Sequence, residues 1–543
     1  MKQNESKRGE RTARGLASGV VALSLSTLAV KIIGLAFKIP MLSLLGTEGM
    51  GYFNSAYEIY ALLCVIATAG LPVALSISVS AARAAGDLAR VRRVYGGARR
   101  IFVFIGISGS AAMAIFARPI TELIGNPDAY GCILAISPAL FFICIASAVR
   151  GYCQGFGEMG PTAVSQLIEA VSKLALGMGF ALLGLRRGYG LPTVAALAVL
   201  GITVGTLLSA IYMLVSVGGK KYRIVGNRDL TEIKADRSTY ADIVRMALPI
   251  TLGSSIIGLT RIIDMTLIMQ RLQDMGVSAV KANSIYGAYT TLAVPVFNLI
   301  PALIAPVAMA LVPDLSAAVE RRDERARSGV IETAMRMTTI AAIPTAMGVA
   351  VFARPILELL FSGQSEAIDV AAPMLSALGV SVLFSCLMTT ANAILQAQGR
   401  VVAPIISMSV GVVLKAVSTY ILIGIPNIGV LGAPIGSLIC GFAVCVLDLW
   451  FMSREHDGQF SPWRVLILPL FAACPSLGAA LAVFRYAQTR ADGTALPLML
   501  SIAVAAAVYG GVSLLIGNIK REDLSLLRRA KNKDRTNKLY KNK

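Results

Sequence analysis

The sequence predicts an all-α integral membrane protein with fourteen transmembrane helices, and two observations carry this prediction. Of its 543 residues, 56% are hydrophobic and only 15% are charged, against about 25% charged residues in soluble proteins. Apolar runs of at least 18 residues recur along the whole chain, each long enough to cross a bilayer as a helix. A soluble protein of this composition would lack the polar surface that water requires, so soluble fold classes are excluded.

The predicted spans end where charged residues or Gly and Pro clusters interrupt the apolar runs. The charged segment 1–15 precedes an apolar run that is too long for a signal-peptide core, so we interpret the first span as a retained helix. The fourteen spans are 16–45, 54–82, 98–117, 128–149, 160–185, 191–218, 241–271, 283–313, 330–353, 367–397, 402–425, 428–452, 464–487 and 495–517.

An internal duplication divides these spans into two halves. The string FARPITEL at 116–123 returns as FARPILEL at 352–359. Similar spacings relate Tyr57, Tyr60 and Pro72 to Tyr286, Tyr289 and Pro301, Lys31 to Arg261, and Gln154, Gly157 and Lys173 to Gln396, Gly399 and Lys415. Six spans return the chain to its starting side, so the halves are expected to be parallel repeats, as in transporters.

The duplication sets the predicted domain boundaries. We expect a six-helix lobe at 16–218, a linker at 219–240, a second six-helix lobe at 241–453, and two further helices within 464–517. The two lobes are predicted to be pseudo-symmetric. The two last helices have no counterpart in the repeat.

The distribution of positive charge predicts the orientation. We count 35 of the 50 Lys and Arg residues in the two tails and the loops on the same side as the tails. The opposite loops hold eight: Arg118, Arg186, Arg187, Arg271, Lys281, Arg354, Arg485 and Arg490. The tails 1–15 and 518–543 are therefore predicted to be cytoplasmic, in the cell membrane. Anionic lipid at that surface is the expected partner of the net charge of +20, and nucleic acid is not.

Little in the sequence indicates catalysis or metal binding. The single histidine, His456, has no cluster of cysteines beside it, and the eight cysteines form no CxxC pair. No glycine-rich ATP-binding loop is present. We therefore predict no enzyme, no catalytic residue, no metal and no cofactor, with Na⁺, H⁺ or the membrane potential left to couple uphill transport.

Cations inside the predicted spans are the main candidates for function, because each costs about 2.5–3.5 kcal/mol near the centre of a membrane helix. They are Lys31, Lys38, Lys173, Arg261 and Lys415, and the acids counted against them are Glu58, Glu169 and Asp264. A fourth acid in the spans, Asp448, is expected near a membrane interface. Five cations and three acids leave a charge of +2, which favours an anionic substrate over a cationic drug.

Local ion pairing is the alternative interpretation of these charges. Glu169 and Lys173 are spaced i,i+4, and Arg261 and Asp264 are spaced i,i+3, so both pairs could form on one helix. Lys31 and Lys38 have no acid within four residues, and neither has Lys415. Those three either extend to the membrane interface or face a polar cavity.

The predicted second span holds aromatic residues near its start and helix breakers in its middle. Tyr52, Tyr57 and Tyr60 are typical of an interfacial aromatic belt, and stacking on a sugar is the alternative. Gly70 and Pro72 predict a break in this span, and Pro301 predicts one in the eighth.

Two strings carry a resemblance to a known family. They are KIIGLAFKIPMLSLLGTEGMGYFNSAYEIYALLCVIATAGLPVALSISVSA at 31–81 and QAQG at 396–399. They resemble the polysaccharide-export flippases of the MOP superfamily, and within it the stage V sporulation protein B type, related to MurJ lipid II flippases. The resemblance implies a MATE-like fold of two six-helix lobes plus two C-terminal helices, and it covers nearly the whole chain.

The resemblance also implies a function. Such proteins move an undecaprenyl-diphosphate-linked precursor, such as lipid II, across the cytoplasmic membrane by alternating access. We expect a monomer in which Lys31, Lys38 and Arg261 hold the diphosphate, Lys173 and Lys415 support them, and the last two helices form a groove for the lipid tail. MurJ proteins commonly have Arg at both first-helix sites and an acid after the second, whereas this chain has Lys twice and then Ile39.

Three alternatives stay open at this point. One is an exporter of a teichoic or capsular polysaccharide precursor, and another is a cation-coupled multidrug exporter of the same superfamily. The third, from a different class, is an assembly scaffold that transports nothing. Cations inside the spans argue against the scaffold.

Overall fold

The computed structural model describes residues 2–217, 237–454, 463–490 and 493–518, and in these ranges the regular secondary structure is entirely helical. Most of the predicted linker 219–240, the segment around His456 and the basic tail from Lys520 lie outside the described residues. An all-α fold is therefore confirmed over the described part of the chain.

Seventeen α-helices run through the described residues. Four single turns interrupt or precede them: 3₁₀ turns at Pro127–Ala129 and Gly429–Leu431, and π turns at Tyr289–Ala293 and Trp463–Ile467. The helices are α1 Lys2–Thr68, α2 Leu71–Ala84, α3 Leu88–Ile115, α4 Ala117–Leu123, α5 Tyr130–Gly155, α6 Gly160–Arg186, α7 Leu191–Val217, α8 Arg237–Asp274, α9 Ala279–Ala288, α10 Val294–Glu320, α11 Glu324–Val351, α12 Ala353–Leu360, α13 Ser365–Ala397, α14 Val402–Ile423, α15 Gly432–Ser453, α16 Leu468–Gln488 and α17 Ala495–Leu515.

The described residues contain 13 segments that are long and apolar enough to cross a membrane, against the fourteen predicted. The difference lies in the first segment, Ala29–Ala84, which at 56 residues covers most of the first predicted span and all of the second. Gly46 has a φ of 63° and ends helical geometry between the two. Glycine suits this position because a side chain would strain a left-handed residue. The chain is a multi-pass membrane protein.

The second predicted span is broken where the sequence indicated. Helix α1 ends at Thr68 and α2 begins at Leu71, with Pro72 in its first turn. Gly70 lies so close to the backbone of Ala247 in α8 that a Cβ atom would clash with it. The predicted break at Pro301 is wrong, since α10 continues through that residue. The irregular turn in this part of the chain is the π turn that joins α9 to α10.

Matching elements make the duplication visible. Helices α3 and α11 are both 28 residues long, and each begins after an aspartate that caps it. The carboxylate of Asp87 accepts a hydrogen bond from Arg90 N at 2.8 Å, and that of Asp323 accepts one from Ala326 N at 3.0 Å. After α5 and α13, Gly157 and Gly399 have φ values of 78° and 80°. Glycine recurs in this motif because the left-handed residue after a helix end disfavours side chains.

The described residues form two compact units. Unit 1 comprises those within 1–295 and 408–440, and unit 2 those within 296–407 and 441–543. In unit 1, α5, α6 and α7 pack together and α1 contacts α6, α8 and α9. In unit 2, α11 packs against α13 and α16, and α16 packs against α17. These units differ from the lobes expected from the repeat, 16–218 and 241–453, whose boundaries stay a prediction.

Candidate functional site

A polar cavity of about 450 Å³ lies among α1, α5 and α6 of unit 1. Its lining includes three cations, Lys31, Arg150 and Lys173, and one acid, Glu169. Their formal charges leave +2. Tyr57 contributes an aromatic wall. We call this space the unit 1 cavity.

Lys173 faces aromatic rings rather than an acid. Its Nζ atom lies 4.3 Å from the ring centroid of Tyr57 and 5.4 Å from that of Phe37, both within cation–π range. Glu169 instead forms an ion pair with Arg150, with Oε2 3.0 Å from Nη2. The local pair of Glu169 with Lys173 is therefore wrong, because the carboxylate points to α5 and not along its own helix.

The aromatic belt interpretation is also wrong for two of the three tyrosines. Tyr52 and Tyr60 are buried in the protein, and only Tyr57 lines the unit 1 cavity. The Tyr52 hydroxyl donates to Glu48 Oε1 at 3.1 Å. Lipid-facing rings of a belt would be exposed on the surface.

Lys38 is held by the π turn. Its Nζ atom donates to the Thr290 carbonyl oxygen at 2.6 Å. A π turn shifts the helical hydrogen-bond pattern by one residue, and such turns are frequent at functional sites. Lys38 also lies within electrostatic range of Glu58, Lys173 and Arg261.

Arg261 and Asp264 each pair with a residue of another helix, so their predicted local pair is wrong. Arg261 Nη1 lies 3.5 Å from Glu58 Oε2, with 43% of the Arg261 side chain exposed. Asp264 Oδ2 accepts a hydrogen bond from Lys415 Nζ at 2.7 Å, and both side chains are buried. Because Lys415 is on α14 and Asp264 on α8, local spacing could not reveal this pair.

The structure thus brings the predicted site residues of unit 1 together in part. Lys31 lies within electrostatic range of Arg261, and Asp264 within range of Glu58 and Arg261. Lys31 and Lys173 form no ion pair with a residue that the structure describes. Lys415, by contrast, is buried and forms an ion pair with Asp264.

Sequence reasoning missed Arg150 because the fourth predicted span was ended at residue 149. Arg150 was thereby counted among the loop charges on the cytoplasmic side. Helix α5 continues to Gly155, which places Arg150 inside the helix and beside the cavity. Its side chain is only 12% exposed.

A repeated polar motif was missed as well. Residues 54–60 read NSAYEIY and 283–289 read NSIYGAY, at the spacing already noted for their tyrosines. Both asparagines are buried and bonded: Asn54 Nδ2 donates to Thr291 Oγ1 at 2.8 Å, and Asn283 Nδ2 to the Glu48 carbonyl oxygen at 2.8 Å. A full comparison of the two repeats would have found the motif.

Comparison with known families agrees with this architecture. The family model described as polysaccharide biosynthesis protein matches residues 16–319, more than half of the chain. The chain belongs to this family. A second model, described as MatE, matches residues 249–421. The resemblance to the MOP superfamily is confirmed.

Two bacterial relatives match along nearly their full length. Stage V sporulation protein B of Bacillus subtilis (strain 168) is 26% identical over 520 residues, covering 93% of this chain and 96% of the relative. Lipid II flippase MurJ of the same strain is 24% identical over 523 residues, covering 92% and 95%. Neither name describes an enzyme.

Solved structures show the same fold. The lipid II flippase MurJ in an inward closed conformation superposes with a TM-score of 0.69 at 16% identity, covering 93% of this chain and 99% of that one. A multidrug resistance MATE family transporter in an inward-facing conformation gives 0.65 at 17% identity, covering 80% and 98%. At these identities the likeness concerns the fold alone.

Unit 2 of this family member has an apolar cavity of its own, of about 490 Å³. Helices α11, α12, α16 and α17 line it with side chains such as Ile340, Met347, Leu477 and Ile502. The last two of these helices are the ones from which the resemblance implied a groove for a lipid tail. We call this space the unit 2 cavity.

Residues able to hold a metal ion do not cluster in the described part of the chain. No group of three or more His, Cys, Asp or Glu side chains comes together there. The eight cysteines are free thiols, five of them buried.

Proposed function

We propose that this chain is a flippase that moves an undecaprenyl-diphosphate-linked oligosaccharide, such as a lipid II-like cell-wall precursor, across the cytoplasmic membrane by alternating access. The observation that carries the proposal is the charge of the unit 1 cavity, where three cations face one acid. Low-dielectric walls strengthen electrostatic interactions, so a cavity with a net positive charge attracts a diphosphate and repels cations. One relative of this chain is named a lipid II flippase.

The cations take different parts in this proposal. Lys31 and Lys173, whose ammonium groups form no ion pair with a described residue, supply the strongest contacts to the diphosphate. Lys38 donates one of its three N–H groups to Thr290, and no described residue accepts from the other two. Arg261 binds the diphosphate while it remains in its ion pair with Glu58. Lys415 supports the site indirectly, because it neutralises Asp264.

The rival function is a cation-coupled multidrug exporter, which the MatE match favours. A cationic drug needs an acid that is free to bind it. All three candidate acids are paired with cations: Glu58 with Arg261, Glu169 with Arg150, and Asp264 with Lys415. This pairing supports the anionic substrate.

The remaining parts of the substrate fit apolar and aromatic surfaces. The unit 2 cavity offers an apolar lining for a polyprenyl tail. Tyr57 offers a ring face for the sugar next to the diphosphate. A teichoic or capsular precursor linked to the same lipid diphosphate presents the same anionic group, so it competes as a substrate on these grounds.

We propose that the membrane potential drives the movement of such a substrate. Moving one elementary charge across 100 mV is worth about 2.3 kcal/mol. With a negative cytoplasm, an anion leaves the cell down this gradient. Coupling to Na⁺ or H⁺ is the alternative.

We also propose an orientation, in which both termini are cytoplasmic.

Transport in proteoliposomes tests the proposal. We expect the purified protein to move fluorescent lipid II, but not an ethidium-like cation, and to do so faster when the potential favours outward movement of negative charge. Lys31→Arg should retain substantial transport, because it keeps the charge, whereas Lys31→Gln should abolish or severely reduce it. Arg118→Gln, which removes an exposed cation in α4, is the matched control.

Two outcomes would contradict the proposal. Transport of the ethidium-like cation without transport of lipid II would favour the drug exporter. Wild-type rates in Lys31→Gln and in Lys38→Gln would rule out a cationic cavity as the binding site. In cells, the chain should rescue growth after depletion of the resident lipid II flippase.

A further inference from the structure

Arg150 is fixed in place by residues of two other helices. Its Nε atom donates to Ser165 Oγ at 3.0 Å on α6. Its Nη2 atom donates to Glu169 Oε2 on α6 and to Ser209 Oγ on α7, both at 3.0 Å. Ser209 in turn donates to the Ser165 carbonyl oxygen at 3.0 Å. The guanidinium plane is therefore oriented before any ligand arrives.

One edge of this guanidinium is left unused. A guanidinium has five N–H donors in a planar fork, and the three bonds to Ser165, Glu169 and Ser209 use Nε and Nη2. The remaining nitrogen, Nη1, donates to no residue in the part of the chain that the structure describes. Arg150 lines the unit 1 cavity, and Nη1 is the guanidinium nitrogen whose donors are left for a ligand there, since the bonds to described residues use Nε and Nη2.

The neighbouring side chains define the chemistry of that ligand. Lys31 and Lys173 line the same cavity with ammonium groups that have no ion-pair partner among the described residues. Glu169 offsets one of the three charges. Two remaining positive charges with N–H donors on several sides match a phosphoryl group, which has negative oxygens in several directions.

We propose that Arg150, together with Lys31 and Lys173, forms a phosphoryl-binding site in the unit 1 cavity. The inference rests on the proposed function in one respect: the phosphoryl group is taken to belong to the lipid diphosphate of the substrate. Arg150 acts as the oriented member, and the two lysines act as adjustable point charges. Ser165, Glu169 and Ser209 are positioning residues, because they hold the guanidinium and need not contact the ligand.

The site belongs to one half of the duplication. At the spacing that relates Lys173 to Lys415, Arg150 corresponds to Asn392 and Glu169 to Gly411. The second half therefore lacks both the guanidinium and its carboxylate partner. Binding through Arg150 makes the recognition of the diphosphate asymmetric between the repeats.

Binding of inorganic pyrophosphate to the purified full-length protein tests this site without requiring transport. We expect wild-type protein to bind pyrophosphate, and Arg150→Gln combined with Glu169→Gln to bind it at least tenfold more weakly. This double variant removes one positive and one negative charge, so the net charge of the cavity is unchanged. A loss of affinity then reports the guanidinium and not the overall field.

Two further variants complete the design. Arg150→Lys keeps a positive charge beside Glu169 but removes the planar fork, so its affinity should fall between those of the wild type and the double variant. Arg118→Gln lowers the net charge of the protein outside the cavity and should bind pyrophosphate like the wild type. Each variant is checked for a monodisperse elution profile and an unchanged Tm. If the double variant does not fold, Arg150→Lys decides the question alone.

Three ligands distinguish the sources of the phosphoryl group. They are free pyrophosphate, farnesyl diphosphate, and nanodiscs of phosphatidylglycerol compared with phosphatidylcholine. Stronger binding of farnesyl diphosphate than of pyrophosphate, with the same dependence on Arg150, supports a lipid diphosphate. Competition by phosphatidylglycerol alone would overturn that assignment in favour of a lipid headgroup.

Failure of this inference is distinguishable from failure of the proposed function. Wild-type pyrophosphate affinity in both Arg150→Lys and the double variant would overturn the role of Arg150, even if lipid II is transported. An absence of pyrophosphate binding by the wild type would overturn the site itself. Binding that depends on Arg150 in a protein that does not move lipid II would uphold the site and remove the flippase.

Discussion

Lys173 and Lys415 occupy matching positions in the two repeats, yet their surroundings differ. Lys173 lies over the rings of Tyr57 and Phe37 beside a cavity. Lys415 is buried against Asp264 at 2.7 Å. The acid nearest to Lys173 along its own helix is Glu169, which forms an ion pair with Arg150 instead. The partners brought by other helices, and not the position in the repeat, decide which lysine stays available to a ligand.

The largest expected effect follows from breaking the buried pair. Lys415→Gln leaves the Asp264 carboxylate buried without its cation, which costs about 3–5 kcal/mol in comparable buried pairs. We expect a large loss of folded protein, measured as yield, monodispersity and Tm in detergent. Lys173→Gln, at the matching position, strands no acid and should fold like the wild type.

A double variant checks the cause of that loss. Asp264→Asn combined with Lys415→Gln replaces the ion pair by two amides and should recover most of the folded protein, because no uncompensated charge remains. If Lys415→Gln alone were as stable as the wild type, the pair would not be a structural element. Lys415 would then join Lys173 as a cation available to substrate.

The next effect concerns transport. A hydrogen bond to a charged group is worth about 1.5–3 kcal/mol, and 1.4 kcal/mol corresponds to a factor of about ten. We therefore expect Lys173→Gln to weaken lipid II transport at least tenfold with unchanged Tm. Lys173→Arg should retain more activity than Lys173→Gln. Equal activity of Lys173→Gln and the wild type would remove Lys173 from the site.

The contrast between the two lysines also shows what the sequence could predict. Hydrophobic runs of about 20 residues form membrane helices whatever their neighbours, so the all-α membrane fold was predictable. The duplication was predictable because the strings at 116–123 and 352–359 can be compared directly. The positions of the cations inside spans could be read from the sequence as well.

The partners of those cations could not be predicted, because side chains that pair across helices are brought together by packing. The spacings of Glu169 with Lys173 and of Arg261 with Asp264 favoured local pairs. The structure pairs Glu169 with α5 and Asp264 with α14. Arg150 was missed for a simpler reason, since the fourth predicted span ends at residue 149, whereas α5 ends at Gly155.

A smaller effect should arise from the aromatic wall beside Lys173. A cation–π contact contributes about 0.5–2 kcal/mol, depending on how well it is desolvated. Tyr57→Leu removes the ring 4.3 Å from Lys173 Nζ and should lower pyrophosphate affinity a few-fold. Tyr57→Phe keeps the ring and should bind like the wild type. A loss in Tyr57→Phe as large as in Tyr57→Leu would assign the effect to the hydroxyl instead.

The smallest expected effect concerns Glu58, whose partner Arg261 is the repeat counterpart of Lys31. Lys31 has no acid partner among the described residues, whereas Arg261 lies 3.5 Å from Glu58. The Arg261 side chain is 43% exposed, whereas that of Glu58 is 13% exposed. In Glu58→Gln the guanidinium that loses its partner stays hydrated, so Tm should change little. Glu58→Gln also removes a negative charge within electrostatic range of Lys38. Pyrophosphate should then bind about two- to fivefold more tightly, since up to about 1 kcal/mol of competition is removed. Weaker binding in Glu58→Gln would mean that the carboxylate positions Arg261 for the ligand rather than competing with it, and the two repeats would then use their cations in different ways.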